Sequence, residues 1–150
     1  MSARSTERSK RRDESAKGAV VYVRVSKADQ AETDEDDGYS LSLQKRLARL
    51  RAHEAGAAFV KVFVEPGHTA TTMRRPQLDA AVERAKRDDI RWFVVHKINR
   101  FARNTHDGLG IEKELKANGV DLLSVSERWD DTPSGHFLKT MYFGLAQMYS

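Results

Sequence analysis

Short apolar runs alternate with amphipathic stretches from residue 18 to the end of the sequence. Short runs rich in Val, Ile and Phe predict strands, whereas apolar residues three and four apart predict helices. The predicted strands are 19–25, 59–65, 91–97 and 120–125. Strands that alternate with helices favour a parallel sheet with right-handed crossovers. The pattern therefore predicts an α/β fold with a mostly parallel, four- to five-stranded sheet flanked by helices.

Residue types that favour helix ends mark the segments between these strands. Ser40 is expected to cap a helix that Gly56 ends, and Pro76 is expected to open the next helix. Gly119 is expected to close a third helix. The first of these helices carries leucines at helical spacing: Leu43, Leu47 and Leu50.

The two ends of the sequence differ from its middle. Residues 1–17 are polar and rich in basic side chains, which predicts a disordered basic tail. A long last helix begins at Ser134 and is still periodic at Ser150, so we expect it to be cut there and to continue in a longer parent chain. Its apolar residues are expected to pack on the sheet, on a partner chain or on both: Phe137, Leu138, Met141, Leu145 and Met148.

Composition limits the possible chemistry. The sequence has no cysteine, which excludes disulfides, zinc–cysteine sites and thiol catalysis. No apolar run approaches the roughly 20 residues of a membrane span, and no secretory signal is present, so we expect a cytoplasmic protein without a membrane partner. The net charge of +4 permits a nucleic-acid partner without requiring one.

Several common motifs are absent. The chain has no phosphate-binding loop, and Gly108-Leu109-Gly110 lacks the third glycine of a dinucleotide fingerprint. Ser26 is not in a nucleophile elbow, and the histidines are scattered. The acidic segment 27–38 has contiguous carboxylates that cannot all face one ion, so no metal site is expected there.

Arg24 and Ser26 end the first predicted strand, two residues apart, and therefore share one face. A hydroxyl beside a cation suits a serine that attacks an anionic phosphodiester. Functional sites of parallel sheets lie at the carboxyl ends of the strands. Two further segments bring arginines to that edge, where guanidinium groups would bind phosphate oxygens and stabilise a pentacoordinate phosphorane. These arginines are Arg74, Arg75, Arg100 and Arg103.

Taken together, these segments resemble the serine recombinases, the family of resolvases, invertases and serine integrases. The matching segments occur in the family's order between about Ala19 and Ser150: 22–26, 40–44, 75–78, 99–103 and 144–148. Met148-Tyr149-Ser150 is more similar to the large serine recombinases. The resemblance implies that residues 18–150 form an N-terminal catalytic domain, with the DNA-binding domains absent from this sequence.

The resemblance assigns a role to each candidate residue. Ser26 would be the nucleophile that forms a 5′-phosphoserine link to DNA and frees a 3′-hydroxyl. Arginines would surround the scissile phosphate, and Gln44 is similar to the active-site glutamine of the family. The arginines are Arg24, Arg100 and Arg103, together with Arg75 ahead of the second helix. Thr69, Arg84 and Asn99 are candidate supporting residues.

The resemblance also implies partners. The substrate would be double-stranded DNA at attachment or resolution sites, bound by a homodimer that pairs into a synaptic tetramer. Strand exchange and religation would follow, with no metal and no high-energy cofactor. A separate protein that sets the direction of recombination is a further candidate partner.

Asn99 departs from the family pattern, because an aspartate usually precedes the arginine there. An amide can hydrogen-bond but cannot act as a general acid or base. The alternative interpretation is therefore a catalytically impaired, recombinase-like domain that binds DNA or assembles.

Overall fold

A computed structural model describes residues 16–25, 40–66, 75–101 and 105–149 of the chain. Residues 1–15 of the predicted tail lie outside this part, as do Ser26, Thr69 and Arg103. The strands are β1 (Gly18–Arg24), β2 (Val60–Glu65), β3 (Ile90–Val95) and β4 (Asp121–Ser124). The helices are α1 (Leu41–Ala55), α2 (Pro76–Ala85), α3 (Ile98–Phe101), α4 (Thr105–Ala117) and α5 (Pro133–Tyr149).

The described strands form one sheet in the order β2-β1-β3-β4, and every neighbouring pair is parallel. This arrangement confirms the predicted α/β fold with a parallel sheet, and each strand agrees with its predicted range to within one or two residues at either end. The chain moves outward from β1 in one direction to form β2, then crosses back to form β3 on the other side. This reversal creates a switch point between β1 and β3, where α/β proteins form their binding sites.

The alternation of side chains along β1 divides the core into two layers. Ala19, Val21 and Val23 face α1, whereas Val20 and Tyr22 face α2 and the helices that follow. All five are buried, which is the burial expected of the central strand of a parallel sheet. Helices cover both faces, so the polar ends of β1 meet solvent only at the edges of the sheet.

The ends of α1 confirm the predicted capping residues. The Ser40 side chain accepts a hydrogen bond from the Leu43 N–H at 3.2 Å, which satisfies one donor of the first turn. Gly56 ends the helix with φ of 103°, a left-handed conformation that favours glycine. The predicted start of α2 at Pro76 is also confirmed.

The leucines whose spacing predicts α1 do not form its most buried face. The helix buries Gln44, Ala48 and Ala52, whereas Leu50 is 52% exposed. Small side chains face the sheet because they allow the helix backbone to approach β1 closely, and the larger leucines are displaced to the flanks.

The last helix also differs from expectation. It buries Lys139 and Phe143, not the large apolar residues that mark its periodicity. We call those exposed residues the apolar row of α5: Phe137, Leu138, Met141, Leu145 and Met148. Of the alternatives for this row, packing on the sheet is not observed, and packing on a partner chain stays a prediction. Within the described ranges, no helix is long and apolar enough to cross a membrane.

Candidate functional site

β1 delivers Arg24 to the carboxyl edge of the sheet. Arg24 pairs in register with Glu65 of β2, and the pairing continues through Val25, whose N–H donates to the Glu65 carbonyl oxygen at 2.9 Å. Arg24 is exposed, whereas Val25 is buried. The backbone that leads to Ser26 is thus fixed between two strands. The predicted pairing of Arg24 with the Ser26 hydroxyl stays a prediction, because Ser26 is not among the described residues.

The short helix α3 follows β3 at the same edge and carries Arg100. Ile98 and Phe101 are fully buried, and the Phe101 ring lies 5.9 Å from the Phe93 ring of β3. Because these two anchors lie three residues apart, they turn Asn99 and Arg100 away from the core. Asn99 is exposed and Arg100 is partly exposed. The sequence predicted an arginine-bearing turn here, and the structure fixes that turn by burying its apolar residues.

Arg75 links three helices at this edge. It precedes α2, and its side chain is only 12% exposed. One terminal nitrogen donates to the Phe101 carbonyl oxygen at 2.5 Å, at the end of α3. The other donates to Asp107 Oδ2 in the first turn of α4, at 2.7 Å. Arg75 therefore ties the start of α2 to the helix that carries Arg100.

Sequence reasoning missed the roles of Asp107 and Glu65 at this edge. The residue type of Asp107 gave no indication of a partner 32 residues away. Glu65 was placed at the end of a strand, but it is a buried carboxylate, 2% exposed. Its Oε2 accepts the Gln77 N–H at 2.9 Å, so its negative charge lies at the amino end of α2, where the helix dipole favours an anion.

Tyr22 lies beneath this edge and is a packed core residue, as expected from the sequence. It is 1% exposed, and burial is the first cause that raises the pKa of its hydroxyl above the ordinary value. The negative charge of Glu65 raises the pKa further, whereas Arg75 and Arg24 oppose the shift. Tyr22 therefore stays neutral at neutral pH.

Gln44 reaches the edge from the other face of the sheet. It lies near the start of α1, is 1% exposed, and packs toward the layer of Val21 and Val23. Arg24 shares the opposite face with Tyr22 by strand alternation. The two candidate residues therefore flank the end of β1 from opposite sides.

The structure does not bring Arg84 to the carboxyl edge. Arg84 lies near the end of α2, about 12 Å along the helix axis from its start at 1.5 Å per residue. Both terminal nitrogens of its guanidinium bind Asp89, which directly precedes β3, at 2.7 and 2.8 Å. These hydrogen bonds hold the pKa of Asp89 below its usual range. Arg84 thus pairs at the amino edge, and its supporting role stays a prediction.

The described part of the edge presents cations and no metal-binding group. Arg24 and Arg100 come from two separate segments, and guanidinium groups are suited to phosphate oxygens. The Arg75 guanidinium binds Phe101 and Asp107, so its predicted contact with the phosphate stays a prediction. Within the described residues, no group of three or more histidine or acidic side chains could hold a metal ion. The arrangement can neutralise an anionic substrate by guanidinium groups.

Comparisons with known proteins agree with this geometry. The family model described as "Resolvase, N terminal domain" matches residues 19–150. A resolvase of Clostridium perfringens is 32% identical over 78 residues, which cover 49% of this chain and 40% of that protein. The chain thus spans less than half the length of that relative.

Two solved structures share the fold. The N-terminal catalytic domain of TP901-1 integrase superposes with a TM-score of 0.67 at 23% identity, over 89% of this chain and 96% of that one. A resolvase family site-specific recombinase from Streptococcus pneumoniae has a TM-score of 0.62 at 25% identity, over 83% and 85% of the two chains.

Proposed function

Because the chain belongs to the serine recombinase family, whose resolvase N-terminal domain it matches, we propose that it is the catalytic domain of a site-specific DNA recombinase. In the proposed reaction, the Ser26 oxygen attacks the phosphorus of a DNA phosphodiester and forms a 5′-phosphoserine bond. The bond from phosphorus to the 3′ oxygen breaks. The serine gives up its proton, and the 3′ oxygen takes one up as a hydroxyl.

Strand exchange and religation complete the proposed reaction. The 3′-hydroxyl of the exchanged strand attacks the phosphoserine, which restores the phosphodiester and releases Ser26. Each step exchanges one phosphate ester for another, so the phosphodiester bond energy is conserved in the covalent intermediate.

One observation supports this proposal: β1 ends at Arg24, and Arg75 binds the Phe101 carbonyl oxygen at the end of the short helix that carries Arg100. A pentacoordinate phosphorane carries more negative charge than the ground-state phosphodiester, so guanidinium groups at its oxygens stabilise the transition state. Removal of one such donor typically lowers a rate by about 100- to 1000-fold. We propose Arg24 and Arg100, with Arg103, as the phosphate ligands, and Gln44 as a flanking hydrogen-bonding group.

Double-stranded DNA is the proposed substrate, and a second copy of the chain is the proposed protein partner. The apolar row of α5 supports self-association, because its members are 37–77% exposed. We expect a homodimer on DNA and a synaptic tetramer, in the cytoplasm where the DNA lies. Sedimentation of the DNA complex tests this. Leu145→Asp should reduce association, whereas Leu50→Asp, at an equally exposed leucine of α1, should not.

A trapping assay tests the catalytic proposal. The protein that contains this domain is incubated with a nicked recombination site, which prevents religation and accumulates the covalent adduct. We expect a protein–DNA adduct that Ser26→Ala abolishes and that the control Ser126→Ala, at an exposed serine after β4, leaves intact. An adduct that persists in Ser26→Ala would disprove the nucleophile. Absence of any adduct under synapsis would disprove the catalytic function.

A second candidate is a domain that binds DNA and assembles without cutting it. Asn99 favours it, because an exposed amide stands where proton transfer would need an acid or base. If the domain is catalytic and Asn99 limits its rate, Asn99→Asp should raise the rate of adduct formation. A lower rate would mean that the amide is adapted to this site, and binding without an adduct in both forms would favour the second candidate.

A further inference from the structure

We propose that Asp107 is a positioning residue that holds Arg75 against the end of α3 and thereby fixes the turn that carries Arg100. The inference rests on the proposed recombinase function. It adds a residue that acts through other side chains and makes no contact with DNA itself.

The geometry of Arg75 supports this role. Its side chain is 12% exposed, and its guanidinium is divided between two acceptors of different kinds, the Phe101 carbonyl oxygen at 2.5 Å and Asp107 Oδ2 at 2.7 Å. The carbonyl is the last of α3, and the carboxylate belongs to the first turn of α4. A planar guanidinium holds its donors in a fixed fork, so binding Asp107 with one nitrogen orients the other toward Phe101.

Charge explains why an aspartate suits this position. Asp107 lies in the first turn of α4, where the helix dipole favours an anion. The Phe101 carbonyl lies at the end of α3 and carries partial negative charge, which favours a cation. Arg75 thus lies between two partners that both attract it, and the loss of Asp107 leaves only the neutral one.

The link between Asp107, Arg75 and Phe101 matters for function because it fixes the position of α3. The helix has four residues, too few to be stable alone, so its orientation depends on its anchors. Ile98 and Phe101 hold its apolar side, and the Ile98 N–H faces the Glu127 carboxylate at 3.4 Å. Arg75 is the anchor on the side of α2. A shift of this turn would move Arg100 relative to the end of β1.

The chain offers a matched control on the same pair of helices. Lys86, directly after α2, pairs with Glu114 of α4. This ion pair also joins α2 to α4, but at the other end of α2, away from α3. Glu114→Gln therefore removes an α2–α4 ion pair of similar charge without touching the turn that carries Arg100.

The experiment compares Asp107→Asn, Asp107→Glu and Glu114→Gln in single-turnover trapping on the nicked DNA site, over a range of protein concentrations. Loss of positioning should lower the saturating rate of adduct formation by about 10- to 100-fold, the cost of displacing a reacting group by about 1 Å. The protein concentration at half-saturation should stay unchanged, because DNA binding is not affected. Asp107→Glu should restore part of the rate, and Glu114→Gln should stay within about twofold of wild type.

A double-mutant cycle tests whether Asp107 acts through Arg75. If it does, Arg75→Ala with Asp107→Asn should be no slower than Arg75→Ala alone. Additive losses would overturn the proposal. So would an Asp107→Asn rate within about twofold of wild type, or an equal loss in Glu114→Gln, which would indicate a general effect of weakened packing.

Hydrogen exchange tests the positioning role of Asp107 independently of recombinase activity. Amides of residues 98–101 should exchange faster in Asp107→Asn than in wild type and Glu114→Gln. If the wild-type protein forms no adduct, the recombinase proposal fails, and the exchange result alone decides whether Asp107 holds the turn. Unchanged exchange in Asp107→Asn would overturn the positioning role even if the adduct forms.

Discussion

Replacement of Tyr22 by phenylalanine should make the folded chain more stable. Tyr22 is 1% exposed in the central strand, and its hydroxyl has no hydrogen-bond partner among the described residues. A buried polar group that is left unpaired costs about 1–3 kcal/mol. Because phenylalanine keeps the ring and removes only the hydroxyl, we expect the free energy of unfolding to rise by about 1 kcal/mol at neutral pH.

The advantage of Tyr22→Phe should grow in alkaline solution. The pKa of Tyr22 is raised above its ordinary value of 10.0, first by burial and then by the charge of Glu65. The unfolded chain therefore ionises at lower pH than the folded chain. Below about pH 10, Tyr22 is neutral in both states and its ionisation does not affect the free energy of unfolding. Above about pH 10, the unfolded chain ionises first, and the free energy of unfolding falls by about 1.4 kcal/mol per pH unit. The phenylalanine variant does not have this loss.

Urea unfolding of both proteins, from neutral pH to about pH 11, measures this effect. Subtracting the unfolding free energy of wild type from that of Tyr22→Phe cancels the effect of the groups that titrate in both proteins. Destabilisation by Tyr22→Phe of more than about 1 kcal/mol would show that the hydroxyl has a partner and would refute the reasoning. A difference that stays constant above pH 10 would show that Tyr22 ionises equally well in both states.

Two further stability predictions follow from single contacts. Ser40→Ala should lower the free energy of unfolding by about 1 kcal/mol, because the Leu43 N–H loses its hydrogen-bond acceptor. Urea unfolding measures this loss, and an unchanged free energy would show that solvent replaces the cap fully. Lys139 and Glu112 form a largely buried ion pair at 2.8 Å. Lys139→Met should cost about 3–5 kcal/mol by leaving the carboxylate unpaired, whereas Lys139→Met with Glu112→Leu should cost much less. In a double-mutant cycle, a cost of the double variant equal to the sum of the two single costs would show that the pair is not coupled.

The order of the elements could be predicted because it depends on local patterns. β1 is a continuous apolar run, and a central strand of a parallel sheet is buried on both faces. Ser40, Gly56 and Pro76 act within one helical turn of their own positions. Such signals need no knowledge of what the element packs against, so the sequence alone identified the four strands and the helices that connect them.

The face that an element buries depends on its neighbours and was predicted less well. In α1, the leucines have the stronger apolar signal, yet Ala48 and Ala52 contact the sheet because close approach to β1 outweighs side-chain size. The same limit applies to the site. Residue type and family order identified Arg75, but its bond to Asp107 depends on how α2, α3 and α4 meet.

At position 99, the fold determines where the side chain lies, whereas the residue type determines which chemistry the side chain can perform. Its exposure follows from the burial of Ile98 and Phe101 on either side, and an aspartate at the same position would face outward equally. In the proposed reaction, the amide would therefore leave this edge without the acidic group that the resemblance implies, while the turn and its Arg100 keep their places. Guanidinium binding of phosphate needs no proton transfer, whereas departure of the 3′ oxygen does. If this chain differs from its relatives, the difference should consequently lie in the rate of cleavage, with DNA affinity unchanged.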